Sequence, residues 1–400
     1  MQQSNAVLFQ EGTLGKIGEM LRILKTNLLV VTVVLLAIMQ AEAQDRDPSA
    51  VDQAWKASKH SFQPIWENEI CEGETVLFLQ DENGDAKGQL LFPVEEILAI
   101  HSSDGSRRFE LNSIRWKQGA RELVVPKGSV LPTYLPSDLR RPANSQRHAL
   151  THRDGNGEIL FGGELEYAAM QICITYRHRL PATQEWFPRK RGSLPKTRKR
   201  LMNDEGIHLV VLGDSISAGY NASGMFSKPP FQPAYPGLLK MQLEQSFKGQ
   251  IQLTNLSISG KDTAWGLSQM EEVIKLRPHL VVIAFGMNDS AGRSKDDYQE
   301  KTRQMMRTVR EALPECEIIL VAPMLGNRDW TRLKHERFPE YQQALIELAD
   351  TGVAVADVTR VWTRMLDLKA DHDLTGNGVN HPNDFGHRIY AQVISQCWAP

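Results

Sequence analysis

Three short polar stretches, far apart in the chain, contain the residue types that ester cleavage requires. They are residues 213–216 (GDSI), 286–289 (GMND) and 380–384 (NHPND). The first contains a serine, the second an asparagine and the third a histidine. A serine hydroxyl is a weak nucleophile until a neighbouring base removes its proton, and histidine is the most frequent base in such pairs. The three stretches therefore predict nucleophilic attack on a carbonyl carbon.

Each of these residues has a distinct chemical role in such a reaction. Ser215 is the candidate nucleophile and His381 the candidate base. Attack on an ester places negative charge on the carbonyl oxygen, which preorganised N–H donors stabilise. Asn288 offers a side-chain amide, Gly260 an unhindered backbone N–H, and Ser215 its own backbone N–H. Taken singly, Gly260 is explained as a turn glycine, Asn288 as a helix cap and His381 as a structural histidine; their combination favours the chemical roles.

The segments around these residues predict a parallel sheet that would bring them together. Apolar runs at 207–212 and 280–285 directly precede Ser215 and Asn288, and they resemble strands that are buried on both faces. Further apolar runs lie at 252–256, 318–322 and 353–356. Segments with helical periodicity lie between or after these runs, at 235–247, 264–276, 298–312, 340–350 and 384–397. Asn383 or Asp384 would cap the last helix. This alternation predicts an α/β fold, a three-layer α/β/α sandwich with its site at the carboxyl ends of the strands.

The four blocks that contain Ser215, Gly260, Asn288 and His381 resemble those of the SGNH (GDSL-type) hydrolases. The resemblance extends from residue 207 to the end of the chain. It implies a flavodoxin-like sandwich in which Ser215 is the nucleophile, His381 the base, and Gly260 and Asn288 the oxyanion donors. It implies no cofactor and no metal. An export signal and a β-rich region ahead of the catalytic domain make the chain similar to two-domain secreted carbohydrate acetyl esterases of this superfamily.

One position departs from the pattern of this family. Its members usually have aspartate three residues before the histidine, where this chain has Gly378. The third member of a triad orients the imidazole and stabilises its charged form. Asp373 or Asn377 could replace it from the same loop. Alternatively, a backbone carbonyl could orient the ring of a Ser215–His381 dyad, and we favour the dyad.

A two-metal phosphodiesterase is an alternative from another class, because Asp214 and Asp289 stand beside the two strand ends. The first strand, however, does not begin with an Asp-x-His motif, since His208 has no aspartate two positions earlier. Turn and helix-cap roles therefore explain both aspartates better. His387 would lie on the last helix and is interpreted as a packing residue.

Two other segments precede the predicted catalytic domain at 206–400. Short strands separated by turns, between about residues 69 and 177, predict a β-sandwich or jelly roll within a domain at 45–180. Prolines punctuate a basic stretch that would be a linker at 181–205. Residues 1–43 resemble an export signal, with an apolar run at 28–39 followed by a small-x-small cleavage motif. Translation could begin at Met20.

The signal predicts a secreted or periplasmic protein, and a retained membrane anchor is the weaker alternative. Export also permits disulfides, and we expect Cys316 and Cys397 to pair at the face opposite the active site. Four buried thiols are the other possibility.

Charge and aromatic residues suggest the partner. With 46 basic and 48 acidic residues, the near-neutral chain gives no electrostatic reason to expect nucleic acid, and the basic run at 189–200 is interpreted as a solvated linker or helix face.

A long loop at 218–233 follows the serine. Tyr220, Trp265 and Trp330 follow strand ends and could contact a sugar, which favours an acylated saccharide as substrate. A lysophospholipid, or glycan binding by a non-catalytic vestigial hydrolase fold, are the alternatives.

Overall fold

The computed structural model describes residues 55–141, 150–182, 186 and 192–398. The predicted export signal at 1–43 and the possible start at Met20 lie outside the described residues, as does part of the predicted linker.

In its described residues, the β-rich region contains strands β1 to β11 and three short 3₁₀ helices. The strands are β1 (Ile70–Val76), β2 (Leu79–Gln80), β3 (Ala86–Gln89), β4 (Val94–Ser102), β5 (Arg108–Phe109), β6 (Arg115–Trp116), β7 (Glu122–Val125), β8 (Arg140–Arg141), β9 (Leu150–Thr151), β10 (Glu158–Ile159) and β11 (Ile172–His178). The 3₁₀ helices span Leu111–Ser113, Pro136–Leu139 and Ala168–Met170.

The strands of this region form antiparallel sheets, as their alternating patterns predict. One four-stranded sheet has the order β1-β11-β4-β5 and the other β2-β3-β7-β6, while β8-β10-β9 form a three-stranded sheet. Side chains from both four-stranded sheets, such as Ile97 of β4 and Leu123 of β7, belong to one hydrophobic cluster. The two larger sheets therefore share a core.

The second half of the chain alternates strands and helices. The helices are α1 (Pro195–Met202), α2 (Ser215–Ala218), α3 (Tyr235–Ser246), α4 (Thr263–Ser268), α5 (Met270–Lys275), α6 (Lys295–Ala312), α7 (Arg337–Ile346), α8 (Val358–Leu366), α9 (Asp371–Leu374) and α10 (Asp384–Ser395). The strands are β12 (Ile207–Gly213), β13 (Ile251–Asn255), β14 (Leu280–Ala284), β15 (Glu317–Ala322) and β16 (Val353–Asp357). Two further 3₁₀ helices span Ser223–Phe226 and Asp289–Ala291.

The five strands form one parallel sheet in the order β13-β12-β14-β15-β16. This is the 2-1-3-4-5 order of flavodoxin-like folds. The register pairs Gly213 with Ala284, so the loops that follow β12 and β14 leave the sheet side by side. Helices cover both faces. Leu209 and Val211 face one hydrophobic cluster together with α3, α8 and α10, whereas Val210 and Leu212 face a second cluster with α5, α6 and α7. The predicted three-layer α/β/α sandwich is confirmed.

Some helices differ from the predictions. The helix expected over 264–276 is divided into α4 and α5, which meet at Gln269. Helix α8 was not predicted. The basic stretch assigned to a linker is helical from Pro195, because the Glu317 carboxylate accepts hydrogen bonds from the backbone N–H groups of Lys196 (3.0 Å) and Thr197 (2.7 Å) at the first turn of α1.

A buried ion pair joins the β-rich region to the parallel-sheet half. The Lys369 ammonium, which follows α8, lies 2.6 Å from Oε1 of Glu74 on β1 and donates to the carbonyl oxygen of Thr75 at 2.7 Å. Burial alone would lower the pKa of Lys369, but Glu74 and Asp373 raise it above its ordinary value. The two regions pack within one compact unit that spans residues 52–400. The domain boundaries inferred from the sequence remain a prediction.

The predicted Cys316–Cys397 disulfide is wrong. Cys316 lies in the hydrophobic cluster on one face of the parallel sheet, whereas Cys397 packs against the cluster on the other face. The Cys316 thiol donates to the Glu317 carbonyl oxygen at 3.5 Å, and burial raises its pKa to about 12. Within the described residues, no helix has the length and apolar character needed to cross a bilayer.

Candidate active site

The candidate nucleophile lies at the turn from β12 into α2. Gly213 ends the strand where a Cβ atom would lie 2.5 Å from the carbonyl oxygen of Ala284, so only glycine fits beside β14. Asp214 then caps α2, its Oδ1 accepting from the Ile216 N–H at 3.0 Å. Ser215 is the first residue of the helix and is 3% exposed. This tight turn holds the hydroxyl at the carboxyl edge of the sheet.

His381 meets Ser215 from the other end of the sequence. The distance between His381 Nε2 and Ser215 Oγ is 2.9 Å. The loop between α9 and α10 is closed by a backbone bridge between Thr375 and Pro382, and the Gly376 N–H donates to the His381 carbonyl oxygen at 2.9 Å. The N-cap of α10 is Asn383, one of the two predicted caps.

The environment of His381 favours the neutral imidazole. Burial, with a smaller contribution from His387, lowers the pKa of His381 to about 3. A neutral ring can accept the proton of a serine hydroxyl at neutral pH. Burial also lowers the pKa of His387 to about 4; this ring packs between the Tyr220 carbonyl oxygen and the Tyr235 N–H, as its interpretation as a packing residue implied.

The other ring nitrogen of His381 contacts two side-chain amides. Nδ1 lies 2.8 Å from Oδ1 of Asn221 and 3.1 Å from Nδ2 of Asn377. The backbone carbonyl expected at this position is therefore wrong, because side-chain amides contact Nδ1, whereas the action of Ser215 and His381 without a carboxylate stays a prediction. Asn377, one of the two predicted replacements, does reach the ring, but through its nitrogen. Sequence reasoning missed Asn221, although an asparagine six residues after the candidate nucleophile was a usable signal.

Asp373, the other predicted replacement, faces away from the histidine. Its Oδ1 accepts from the Leu77 N–H at 2.7 Å, and its Oδ2 lies 3.8 Å from Lys369 Nζ. Its own carbonyl oxygen accepts from the Thr75 hydroxyl at 2.6 Å. The carboxylate is therefore used to attach the histidine loop to β1 and the residues that follow it.

Position 378 has no room for the usual acid. Gly378 has φ 79°, in the left-handed region that favours glycine. A Cβ atom there would lie 2.6 Å from the carbonyl oxygen of Leu160 and 2.6 Å from Cε2 of Tyr167. The segment between β10 and β11 thus occupies the space that an aspartate side chain would need.

The candidate oxyanion donors come from the loops after β12, β13 and β14. The Ile258 N–H donates to the Gly213 carbonyl oxygen at 3.2 Å, which holds the loop containing Gly260 beside Ser215. The Asn288 amide donates to the Lys261 carbonyl oxygen at 2.9 Å, which leaves its second N–H for another acceptor. Among the described residues, the backbone N–H groups of Ser215 and Gly260 have no acceptor.

Asp289 fixes the loop that carries Asn288. Its Oδ1 accepts from the Thr263 N–H at 3.1 Å and from the Arg293 Nε–H at 2.7 Å. Burial raises the pKa of Asp289 despite these donors, and burial raises that of Asp214 to about 7. Both aspartates are occupied by caps and loop contacts, and no group of acidic, histidine or cysteine residues in the described ranges is arranged to hold a metal ion.

The three predicted pocket aromatics occupy different surroundings. The ring of Tyr220 lies 5.6 Å from that of His381. Trp265 lies in the first turn of α4, packs against Phe285 and has the Lys261 ammonium 5.9 Å from its ring. Trp330 packs against the core and pairs with His152 of the β-rich region. Tyr220 is thus the aromatic residue that the structure brings to the histidine.

A serine and a histidine at the carboxyl edge of a 2-1-3-4-5 parallel sheet define the class, a flavodoxin-like α/β/α hydrolase. Residues 211–389 match the model of the GDSL-like lipase/acylhydrolase family, and this segment is an acylhydrolase domain of that family.

Curated relatives match shorter parts of the chain. It is 31% identical over 109 residues to thioesterase 1/protease 1/lysophospholipase L1 of Escherichia coli, which is 27% of this chain and 47% of the relative. It is 39% identical over 83 residues to an arylesterase of Vibrio mimicus, which is 20% of this chain and 37% of the relative. The chain thus spans about half or less of the length of these relatives.

Solved structures of esterases are also similar. An acetylxylan esterase from Geobacillus stearothermophilus is 21% identical, with 49% of this chain and 95% of that chain covered and a TM-score of 0.40. A two-domain esterase active on acetylated mannans is 20% identical, with 52% of this chain and 54% of that chain covered and a TM-score of 0.41.

Proposed function

We propose that this protein is a serine esterase that hydrolyses small carboxylic esters, most specifically O-acetyl groups on carbohydrate. The observation that carries the proposal is the 2.9 Å contact between Ser215 Oγ and His381 Nε2 within an acylhydrolase domain. It supports Ser215 as nucleophile and His381 as base. Asn288 and the N–H groups of Ser215 and Gly260 would bind the oxyanion.

In the proposed reaction, Ser215 Oγ attacks the ester carbonyl carbon while its proton passes to Nε2 of His381. The carbonyl electron pair moves onto oxygen, where the three donors stabilise it. When the tetrahedral intermediate collapses, the bond to the alcohol oxygen breaks and His381 returns its proton to that oxygen. Water then attacks the acyl-serine in the same way, which releases the acid and restores the hydroxyl.

The positions of the exposed apolar residues support a small acyl group in the substrate. Among the described residues, the large apolar side chains that are exposed are Leu111, Val130, Leu135, Leu180 and Met202. None belongs to the loops of Ser215, Gly260, Asn288 or His381. A long acyl chain would need apolar surface near the serine, because burying its methylene groups supplies most of the binding free energy.

Export is part of the proposal and rests on residues 1–43 of the sequence. A secreted or periplasmic esterase would meet acetylated polysaccharide outside the cytoplasm. Expression of the full chain with a C-terminal epitope, followed by fractionation and N-terminal sequencing, tests this part. A protein retained in the cytoplasm with an intact N-terminus would contradict it.

The activity is tested with p-nitrophenyl acetate, p-nitrophenyl decanoate and an acetylated xylo-oligosaccharide, with and without a serine-directed fluorophosphonate. We expect hydrolysis of the acetyl substrates, labelling of one serine, and loss of both in Ser215→Ala. Activity that persists in Ser215→Ala and after fluorophosphonate treatment would contradict a serine mechanism. The absence of both hydrolysis and labelling in the wild-type protein would instead favour a non-catalytic glycan-binding role.

A lysophospholipase or other long-chain esterase is the second candidate, favoured by the 31% identity to the Escherichia coli relative. The same assay separates the two, because each methylene buried in an acyl pocket contributes about 0.8 kcal/mol. A kcat/KM that rises from the acetyl to the decanoyl ester would favour this candidate. A kcat/KM that falls supports the acetyl esterase.

A further inference from the structure

We propose that Asn221 is the positioning residue of His381, so that a neutral amide takes the place of the triad carboxylate. The inference rests on the proposed esterase function and deepens it. Asn221 Oδ1 lies 2.8 Å from His381 Nδ1, on the side of the ring opposite the contact between Nε2 and Ser215. An acceptor at Nδ1 holds the proton there and leaves the lone pair of Nε2 facing the serine hydroxyl.

The surroundings of Asn221 determine which of its amide atoms faces the histidine. Its Nδ2 donates to the carbonyl oxygens of Glu164 and of Gly376, the latter at 3.2 Å. Because both partners are acceptors, the nitrogen must face them and Oδ1 must face the imidazole. Asn221 also has φ 64°, a left-handed conformation that asparagine adopts more readily than most residues. Backbone and side chain are both suited to asparagine.

Asn377 competes with Asn221 for Nδ1 of His381, and the two partners favour different tautomers of the ring. Its Oδ1 accepts from the backbone N–H groups of Val379 (2.9 Å), Asn380 (3.0 Å) and His381 (3.2 Å), so its Nδ2 faces the ring. This nitrogen could donate to an unprotonated Nδ1, which would move the ring proton to Nε2 and remove the base. Its alternative acceptor is Asn380 Oδ1 at 3.1 Å. The shorter contact of Asn221 favours the productive tautomer.

A neutral partner has a consequence for the charge on the ring. A carboxylate stabilises the imidazolium by its charge, whereas an amide contributes only a dipole. The rings of His387 on α10 and of Tyr220 in the loop after α2 lie near the imidazole, and neither is a carboxylate. A carboxylate at position 221 would also place one oxygen against the carbonyls of Glu164 and Gly376. The site therefore suits asparagine better than aspartate, although an aspartate would still present an acceptor to His381 Nδ1.

The experiment compares wild type, Asn221→Gly and Asn221→Asp in esterase assays on p-nitrophenyl acetate from pH 4 to pH 9. Glycine tolerates the left-handed backbone, so Asn221→Gly removes the amide with little strain. We expect its kcat to fall about 10²-fold with KM nearly unchanged, within the range that general acid–base catalysis contributes. Asn221→Asp should regain activity relative to Asn221→Gly, with the acid limb of kcat/KM moved upward by about one pH unit or more.

The control is Asn68→Gly, because Asn68 also pairs with a histidine, His60, at 3.0 Å but within the β-rich region. Its kcat should match wild type. Thermal melting of each variant shows whether a loss of activity comes from misfolding of the protein or from misorientation of the His381 ring. A kcat for folded Asn221→Gly within twofold of wild type would overturn the proposal.

An independent arm does not depend on turnover. Nitrogen NMR of ¹⁵N-histidine-labelled full-length protein at pH 7 reports which nitrogen of His381 carries the proton. We expect Nδ1–H in wild type and a shift toward Nε2–H in Asn221→Gly, because Asn377 then faces the ring alone. A wild-type ring protonated at Nε2 would overturn the role of Asn221, even in an active esterase. An inactive wild type with Nδ1–H would instead count against the esterase proposal.

Discussion

The two sides of the candidate site are built in different ways. Ser215, Gly260 and Asn288 lie in the segments that follow three adjacent parallel strands, and their positions are fixed by short-range contacts such as that between the Asn288 amide and the Lys261 carbonyl. His381 lies in a loop whose shape depends on the β-rich region. There the buried Gln171 amide donates to the carbonyl oxygens of His372 (2.8 Å) and Thr375 (2.9 Å). The nucleophile side, which carries Ser215, Gly260 and Asn288, is held by contacts between neighbouring loops. The base side, which carries His381, depends on contacts with a distant part of the chain.

This difference predicts which variants should change kcat alone and which should change both kcat and stability. Replacements on the nucleophile side would remove atoms that the proposed reaction uses and should leave folding largely intact. Replacements in the β-rich region remove no reacting atom, but they loosen the support of the base. We therefore expect effects on kcat alone in the first case and combined effects on kcat and stability in the second.

The largest expected effect is that of Ser215→Ala, which should reduce kcat on p-nitrophenyl acetate by about 10⁴-fold or more, since the bond-forming oxygen is removed. The melting temperature should stay within a few degrees of wild type. Ser217→Ala is the matched control, because its hydroxyl bonds to Tyr235 at 2.7 Å instead of to His381. Equal losses in the two variants would show that the damage arises from folding of α2.

The next effect is that of Asn288→Ala, which should lower kcat by about 10²–10³-fold with little change in KM, as for loss of one oxyanion donor. The amide also bonds to the Lys261 carbonyl, so a melting curve accompanies the kinetics. A variant in which only KM changed would show that Asn288 is not an oxyanion donor. It would also contradict the view that this side acts through the atoms of its own loops.

A smaller but more diagnostic effect is expected for Gln171→Ala. The change removes the donor from two carbonyl groups of the histidine loop and one of the acceptors of the Asn383 amide, and each buried polar group left unsatisfied costs about 1–3 kcal/mol. We expect a lower melting temperature together with a several-fold lower kcat.

The control for Gln171→Ala is Gln80→Ala, since that amide bonds to Thr133 within the β-rich region. It should change neither quantity much. A Gln171→Ala protein that loses stability but keeps full kcat would break the proposed dependence of the base on the β-rich region.

The smallest expected change is in the pH dependence, because we expect the esterase activity to be retained at mildly acidic pH. Because burial lowers the pKa of His381 to about 3, the ring stays neutral as the pH falls from 7 to 5. The sign follows directly, since a base whose pKa is lowered becomes protonated only at lower pH. We expect kcat/KM for p-nitrophenyl acetate to stay within about twofold over this range. An acid limb near pH 6.5, the ordinary pKa of histidine, would show that the base is solvated.

The sequence predicted the nucleophile side because its signals are contiguous. A buried strand followed by Ser215, and another followed by Asn288, place both residues at one edge of a parallel sheet without knowledge of any distant contact. The three layers and the cap at Asn383 were predictable on the same basis.

The base side was only partly predictable, because its determinants are distant in sequence. The residue at Nδ1 of His381 is Asn221, 160 positions away, and it is held by the carbonyl of Glu164 in the β-rich region. Asp373 was a plausible acid by proximity in sequence, yet its carboxylate bonds to the Leu77 N–H. The cysteine pairing failed because strand and helix order do not reveal on which face of the sheet a side chain points.

The contact between Gly378 and Tyr167 makes the effects of substitutions at the two positions interdependent. An aspartate introduced at 378 would collide with the Tyr167 ring and the Leu160 carbonyl, so a single substitution cannot restore the acid of the usual triad. Shortening the segment between β10 and β11 would make room for it, but it would also withdraw the Glu164 carbonyl from Asn221. A descendant of this chain could therefore regain the acid only by passing through forms in which neither partner of the histidine is well placed. Substitutions at the two positions would therefore be epistatic.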